Sequence, residues 1–151
     1  MISPEYIVGL TDGEGSFCMH LSQNATRRNK AEFRFFLKLI EDDKPILDEL
    51  KRYFGCGNVY FQKDNRPNHH HCYRYEVSNR NELWNIIVPF FKKHCLQLVT
   101  KKRDFDLFSK ALAIVMESEE YSDRMTELVS IRDLMHRSSP GAGNPLAVVG
   151  T

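Results

Sequence analysis

The chain has 151 residues, of which 42% are hydrophobic and 11% aromatic, and a net charge of +1 at pH 7. This length and composition favour one domain with a hydrophobic core of ordinary size. No run of about 18 apolar residues occurs, and the N-terminal MISPEY lacks a basic segment followed by a hydrophobic one, so neither membrane insertion nor secretion is indicated.

The first predicted element is a helix that begins after Ser3 and runs to about Asp12. Ser3 can cap free backbone amides, and Pro4 suits the first helical position. Gly13 and Gly15 then predict the end of the helix and a turn of the chain.

Two strands are predicted next, over residues 16–23 and 32–40, because apolar and polar residues alternate in both.

Charge is unevenly distributed along the chain. Residues 24–38 carry five basic side chains and one acidic one, a net charge of +4, whereas residues 116–127 carry a net charge of −4. We therefore expect one basic and one acidic surface.

A second helix is predicted between a cap at Asp42 or Asp43 and a terminating Gly55. Two more alternating segments follow, 58–62 and 72–77, and they predict a second pair of strands. The turn between these strands contains DNRPN, a polar sequence typical of loops.

The rest of the chain is predicted to be helical over residues 81–93, with an interruption at Pro89, and over 101–117 and 122–137. The apolar residues expected to face inward in the last helix are Leu128, Ile131, Leu134 and Met135.

The order α, β, β, α, β, β and then helices predicts a single α+β domain over residues 1–137. Four antiparallel strands with helices on one face leave the other face open. Residues 138–151 contain little that could order them, so we expect a disordered tail.

The stretch Ile7–Phe17, IVGLTDGEGSF, combines a close-packing helix face with two carboxylates. Gly9 and Gly13 lie four residues apart, so another backbone can approach that face closely. Asp12 and Glu14 lie where the helix ends, and carboxylates of two adjacent helices there could share Mg²⁺ ions that hydrolyse phosphodiesters. The alternative is that both acids only cap or solvate a turn between helix and strand.

This stretch resembles the signature of the LAGLIDADG homing endonucleases. Residues 7–15 match its nine positions with five departures in identity, of which Thr11 in place of an apolar residue is the largest. LKLIEDDKPILDELKRYFGCGNVY is similar to the second helix of that family, ending in a G-x-G turn. LQLVTKKRDFDLFSKAL is similar to its basic TKK segment and the helix that follows. The resemblance covers roughly residues 5–137.

The resemblance implies an αββαββα core, with a four-stranded antiparallel, saddle-shaped sheet over the DNA major groove and helices on its other face. It implies an intron-encoded endonuclease that cuts both strands of a long, near-palindromic DNA and leaves short 3′ overhangs. Because one signature occurs, a homodimer is expected, with Gly9, Gly13 and Asp12 at the interface. We expect an intracellular protein, in a bacterial cytoplasm or an organelle, without a small-molecule cofactor.

The resemblance also assigns roles in catalysis. Glu14 and Gly13 are the expected metal-binding residues for Mg²⁺, and Ca²⁺ is expected to bind without supporting cleavage. Glu41 matches the position that holds water near the metal, although it could instead cap the next helix. Lys101 or Lys102 matches the lysine that reaches the active site, where a cation stabilises developing negative charge; Lys102 is preferred.

Outward-facing side chains of the strands are the candidate readers of DNA bases, because their amide, guanidinium, carboxylate and aromatic groups can pair with base edges. They are Cys18, His20, Ser22, Asn24, Arg34, Phe36, Lys38, Asn58, Tyr60, Gln62, Arg74 and Glu76. The basic side chains in turns are expected to contact phosphates. They are Arg27, Arg28, Lys30, Lys63 and Arg66.

The run His69–Cys72 could form a structural zinc site with Cys56 or with His94 and Cys95. Zinc sites usually have two ligands at each of two short spacings, which this run lacks. A loop that contacts DNA through His70, or a solvated turn, is therefore favoured. No C-x-x-C pair occurs among the four cysteines, so reduced thiols are expected.

The alternative function is binding without cleavage on the same fold, either as an RNA maturase or as a DNA-binding protein. The carboxylate retained at Glu14 favours the enzyme.

Overall fold

The computed structural model describes residues 1–22, 31–118 and 120–138. One antiparallel sheet contains four strands: β1 (Gly15–Leu21), β2 (Ala31–Ile40), β3 (Asn58–Gln62) and β4 (Cys72–Val77). They lie in the order β1-β2-β4-β3. The helices pack on one face of this sheet, so the predicted α+β class and the open second face are confirmed.

The helices are α1 (Pro4–Glu14), α2 (Lys44–Phe54), α3 (Arg80–Glu82), α4 (Val88–Lys93), α5 (Val99–Glu117) and α6 (Met125–Ser138). Short 3₁₀ turns precede α2 and α6, at Glu41–Asp43 and Ser122–Arg124. No described helix is long and apolar enough to cross a lipid bilayer. Except for Ser138, the tail predicted over 138–151 lies outside the described residues, so it stays a prediction.

Helix α1 begins as predicted, since the Ser3 hydroxyl accepts a hydrogen bond from the backbone N–H of Tyr6 at 3.1 Å. Its end was predicted two residues too early. The helix continues through Gly13 to Glu14, and the N–H of Gly15 then donates to the Thr11 carbonyl. Glu14 is thus the last helical residue.

The inner face of the sheet is joined to the helices by a buried aromatic cluster. Phe17 of β1 stacks on Phe35 of β2, with ring centroids 5.0 Å apart. Phe17 also contacts Phe91 of α4 and both Phe105 and Phe108 of α5 at centroid distances of 5.3 to 5.6 Å. Burial of each such ring contributes about 1.5–3 kcal/mol, so this cluster fixes α5 against β1.

The interruption predicted at Pro89 takes the form of a π turn, Leu83–Ile87, between α3 and α4. Proline has no N–H to donate four residues back, and its ring crowds that carbonyl. The chain responds with a bond across five residues, from the Val88 N–H to the Leu83 carbonyl.

The prediction that Leu134 of α6 is a core residue is wrong. Leu128, Ile131 and Met135 are buried, but Leu134 is 50% exposed. The three buried residues follow the spacing i, i+3, i+7 and form one stripe, whereas Leu134 at i+6 lies off that stripe.

The G-x-G turn before β3 allows a matched test of backbone geometry. Gly55 and Gly57 both have positive φ, at 69° and 83°. A Cβ on Gly55 would meet nothing within 4 Å, whereas one on Gly57 would lie 2.8 Å from the carbonyl oxygen of Glu76.

Gly55→Ala should therefore lower the free energy of unfolding by about 1–2 kcal/mol, the cost of a left-handed conformation. Gly57→Ala should cost about 1–3 kcal/mol more, because a strand must also move. Urea unfolding of both variants measures the difference, and equal losses would contradict the steric argument.

Candidate functional site

The junction between α1 and β1 places a carboxylate at the edge of the sheet. Glu14 is exposed, and Gly15 directly after it is buried. A Cβ on Gly15 would lie 2.6 Å from Thr11 Cγ2 and 2.8 Å from the Thr11 carbonyl oxygen. Only glycine permits this close approach, and the resulting turn leaves Glu14 exposed directly before the edge strand β1.

Thr11 itself is fully buried, and its hydroxyl has no hydrogen-bond partner in the described part of the chain. An unpaired buried hydroxyl costs about 1–3 kcal/mol. Thr11→Val keeps the shape and removes that group, so we expect it to raise the free energy of unfolding by about that amount. Urea unfolding checks this; Thr11→Ser, which keeps the hydroxyl and loses a methyl, should be less stable than the parent protein.

A lysine reaches the same junction. The Lys101 ammonium, in the first turn of α5, donates a hydrogen bond to the carbonyl oxygen of Gly15 and is partly buried. Lys102 is exposed and lines a surface groove with Arg103 and Asp106. Lys101, not Lys102, therefore contacts the signature, and which of the two lysines acts in catalysis stays a prediction.

The sequence contained a signal for this assignment. Lys101 precedes Phe105 by four residues and Phe108 by seven, so it lies on the buried stripe of α5. From that stripe its stem packs against the protein while the ammonium reaches the end of α1.

The Asp12 carboxylate is engaged in hydrogen bonds to the backbone of its own chain. Its carboxylate accepts hydrogen bonds from the backbone N–H of Gln97 at 3.0 Å and of Leu98 at 3.3 Å, directly before α5. The first turn of α5 contains no acid, so this charge also complements the positive end of the helix dipole. Asp12 therefore lies at the contact between α1 and the start of α5; its place in a dimer interface stays a prediction.

Glu41 lies farther from the junction. It is exposed, begins a 3₁₀ turn, and its N–H donates to the His71 carbonyl at 2.9 Å. Gly15 pairs with Leu37, so Glu41 lies four residues, roughly 13 Å, beyond that level along the strand. Its expected role in holding water near a metal stays a prediction.

The glycine face of α1 is open. A Cβ on Gly9 or on Gly13 would meet nothing within 4 Å. Apolar side chains nearby are also exposed: Tyr6 and Leu98 to 50% and Val99 to 80%. This combination of small and apolar groups suits close contact with another helix.

The outer face of the sheet brings together the described candidates for base reading, as the alternation predicted. Cross-strand pairing arranges most of them in three rows: Cys18 with Arg34; Phe36 with Glu76 and Asn58; and Lys38 with Arg74 and Tyr60. His20 pairs with Glu32, and Gln62 with Cys72. Ser22 follows the end of β1 and is partly buried.

Two residues of this face were not selected from the sequence. Glu32 lies opposite His20, and its carboxylate is 3.7 Å from the Arg34 guanidinium. Ile40 is 40% exposed at the end of β2. Both occupy the even-numbered positions of β2, so the same alternation identifies them.

The thiol of Cys18 lies on this face beside two arginines. Although the residue is exposed, crowding by neighbouring side chains limits its hydration, and this desolvation raises the pKa of the thiol. Arg74 and Arg34 oppose the effect without cancelling it. The thiol therefore stays neutral near pH 7 and can donate only a weak hydrogen bond.

The turn between β3 and β4 is organised by Asp64. Arg66 Nη2 lies 2.6 Å from an Asp64 oxygen, and these hydrogen bonds hold the pKa of the Asp64 carboxyl well below its usual range. The Asp64 N–H donates to His71 Nδ1 at 3.0 Å. Arg66 is thus partly engaged within the turn, whereas Lys63 and His70 are exposed.

Four predicted DNA contacts, Asn24, Arg27, Arg28 and Lys30, lie outside the described residues.

The hypothesis of a structural zinc site at His69–Cys72 receives no support. In the described ranges, no group of three or more His, Cys, Asp or Glu side chains could hold a metal ion. All four cysteines are free thiols.

A family model described as LAGLIDADG endonuclease matches residues 7–112. The homing endonuclease I-ApeII of Aeropyrum pernix is 29% identical over 133 residues, which cover 88% of this chain and 74% of that protein.

Two solved structures have the same fold. The homing endonuclease I-TnaI superposes with a TM-score of 0.73 at 29% identity, over 93% of this chain and 90% of that one. I-SmaMI, bound to an uncleaved DNA target in the presence of calcium ions, superposes with a TM-score of 0.80 at 26% identity. That alignment covers 93% of this chain and 47% of I-SmaMI, so the chain spans less than half of I-SmaMI.

Proposed function

The chain belongs to the LAGLIDADG endonuclease family, and from this premise we propose that it is a homing endonuclease that cuts both strands of a specific double-stranded DNA as a homodimer. The target is long and near-palindromic, and the products have short 3′ overhangs. One observation carries the proposal: Glu14 is exposed at the end of α1, directly before the edge strand β1 and next to Gly15, whose carbonyl Lys101 contacts.

The homodimer is supported by the open glycine face and by the number of carboxylates. The signature occurs once in the chain, so one copy supplies one Glu14. Packing of two α1 helices through Gly9 and Gly13 brings two Glu14 carboxylates near a shared axis. The two sheets then form a continuous surface with two-fold symmetry, which matches a near-palindromic DNA.

The donor chemistry at this junction fits Mg²⁺. Glu14 is an exposed carboxylate at a chain turn, and a hard cation that keeps several waters needs only one or two such ligands. Gly13, directly before Glu14, is the other predicted metal-binding residue. When bound, Mg²⁺ supplies Lewis-acid polarisation of the scissile phosphate and acidifies a bound water. Ca²⁺ has the same ligand preference, and we expect it to bind without cleavage.

Lys101 supplies the second charge. Its ammonium, held at the Gly15 carbonyl, lies one residue from Glu14, where it can stabilise negative charge that develops on phosphate oxygens. Glu14 would hold the metal ion, and Lys101 would neutralise negative charge on the phosphate.

Substitution of the two adjacent lysines tests this assignment. Lys101→Met should lower kcat for DNA cleavage by roughly 10²- to 10³-fold, the loss typical of a removed electrostatic stabiliser. Lys102→Met, its matched control, should lower affinity slightly and leave kcat within a few-fold. Single-turnover cleavage of a cognate duplex measures both. Equal effects, or a larger effect at Lys102, would overturn the assignment.

A cleavage selection tests the function as a whole. The protein is incubated with a randomised double-stranded DNA library, once with Mg²⁺ and once with Ca²⁺, and cut and retained molecules are sequenced. A near-palindromic site that is cut with Mg²⁺ and only retained with Ca²⁺ is the expected result. Retention without cleavage would indicate a DNA-binding protein, and no enrichment of DNA would indicate an RNA-binding maturase. Either result would overturn the proposal that the protein is an endonuclease.

A further inference from the structure

Arg74 occupies the centre of the outer sheet face. It lies on β4, an inner strand, opposite Lys38 of β2 and Tyr60 of β3. A side chain at this position is flanked by strands on both sides, so its direction is set by neighbours and not by solvent.

Two contacts hold the guanidinium in place. Its Cζ lies 3.5 Å from the centre of the Phe36 ring, and its Nη2 lies 2.9 Å from Glu76 Oε1. The Arg74 and Glu76 side chains are only 20% and 16% exposed. Stacking fixes the plane of the guanidinium, and the ion pair fixes its rotation within that plane.

The second arginine of this face differs. The Arg34 side chain is 50% exposed, and its nearest carboxylate oxygen, on Glu32, is 3.7 Å away. A long side chain with one weak ion pair keeps its rotamer freedom in the free protein. Arg34 must therefore lose that freedom on binding DNA, whereas Arg74 has already lost most of it.

The contacts of Arg74 leave hydrogen-bonding capacity unused. The guanidinium has five N–H donors; the Nε donor is buried, and the ion pair with Glu76 engages Nη2, so the donors left for a ligand are those of Nη1 and the second N–H of Nη2. Beside it lies an open cavity of about 400 Å³, lined by Cys18, His20, Arg34, Phe36 and Arg74. A planar guanidinium facing such a space suits an acceptor pair in one plane, which the O6 and N7 atoms of guanine present in the major groove.

We propose that Arg74 is a preoriented reader of one guanine in each half of the target, with Phe36 and Glu76 as its positioning residues. The inference rests on the proposed function of the outer face in DNA binding. Because the Arg74 guanidinium is already oriented before DNA binds, Arg74 contributes sequence discrimination, whereas the flexible Arg34 contributes mainly affinity.

The test is a binding selection in Ca²⁺ on a randomised duplex library with the parent protein, Arg74→Ala and Arg74→Lys. The parent should select guanine at one position in each half-site. Arg74→Ala should lose that preference by roughly 5- to 150-fold, with other positions unchanged. Arg74→Lys keeps the charge but not the fork, so it should not restore the preference.

Phe36→Leu and Arg34→Ala complete the set. Phe36→Leu keeps an apolar group and removes the ring, so it should weaken the preference at the same base pair. Arg34→Ala, the matched control, should lower affinity for all sequences more evenly. Thermal unfolding of each variant confirms that it is folded before its selection is interpreted.

The outcomes separate this inference from the proposed function. No enriched sequence with the parent protein would overturn DNA recognition itself. If the parent protein selects a specific sequence and Arg74→Ala keeps the same guanine preference, only the role of Arg74 is overturned. A uniform loss of affinity with a smaller salt dependence would also overturn it, because that is the signature of a phosphate contact.

Discussion

Replacement of Glu14 with Gln is expected to reduce DNA cleavage by at least roughly 10²- to 10³-fold while leaving DNA affinity in EDTA within a few-fold. Gln has the same shape but no charge, so it removes the anionic oxygen ligand and little else. Glu14 is exposed and is the last residue of α1, so the change should not affect folding. Single-turnover cleavage and fluorescence anisotropy measure the two quantities.

Glu41→Gln is the comparison variant, because it makes the same chemical change at an exposed acid that follows the inner strand β2. If Glu41 holds water near the metal, its variant should reduce cleavage less than the Glu14 variant does. Full cleavage by Glu14→Gln would contradict the metal-binding role and favour the binding-only function. Loss of DNA affinity in EDTA would show that Glu14 acts in recognition.

Replacement of Gly9 with Leu is expected to convert the proposed dimer to a folded monomer. A Cβ at Gly9 meets nothing within 4 Å in the single chain, and the helix interior gains about 0.5–1 kcal/mol from a better helix former. In the proposed dimer the same side chain would enter a close helix contact twice. If each copy costs about 1–3 kcal/mol, the dissociation constant rises roughly 30- to 10⁴-fold.

Sedimentation velocity over a range of concentrations measures this shift, and thermal unfolding checks the fold. Asp133→Leu places the same side chain on an exposed position of α6 and should leave association unchanged. Cleavage of both strands should fall together with the dimer fraction. A Gly9→Leu protein that remains dimeric would show that the partner binds elsewhere.

Much of the fold follows from periodicity. Alternation predicted all four strands and their exposed face, because a strand has few other ways to bury Phe35 and Leu37 while Arg34 and Lys38 stay in water. Helix ends were less well predicted. α1 continues past Asp12, because the close contact of Gly15 with Thr11, not Gly13, terminates it.

The sequence by itself determined which residue types were present for the chemistry: the carboxylate of Glu14, two adjacent lysines, and polar side chains on alternate strand positions. Only the tertiary structure decided which of them meet. Packing of Phe105 and Phe108 against β1 sets the rotation of α5 and thereby turns Lys101 toward Gly15. Such contacts depend on the relative placement of elements distant in sequence, and no local pattern specifies that placement.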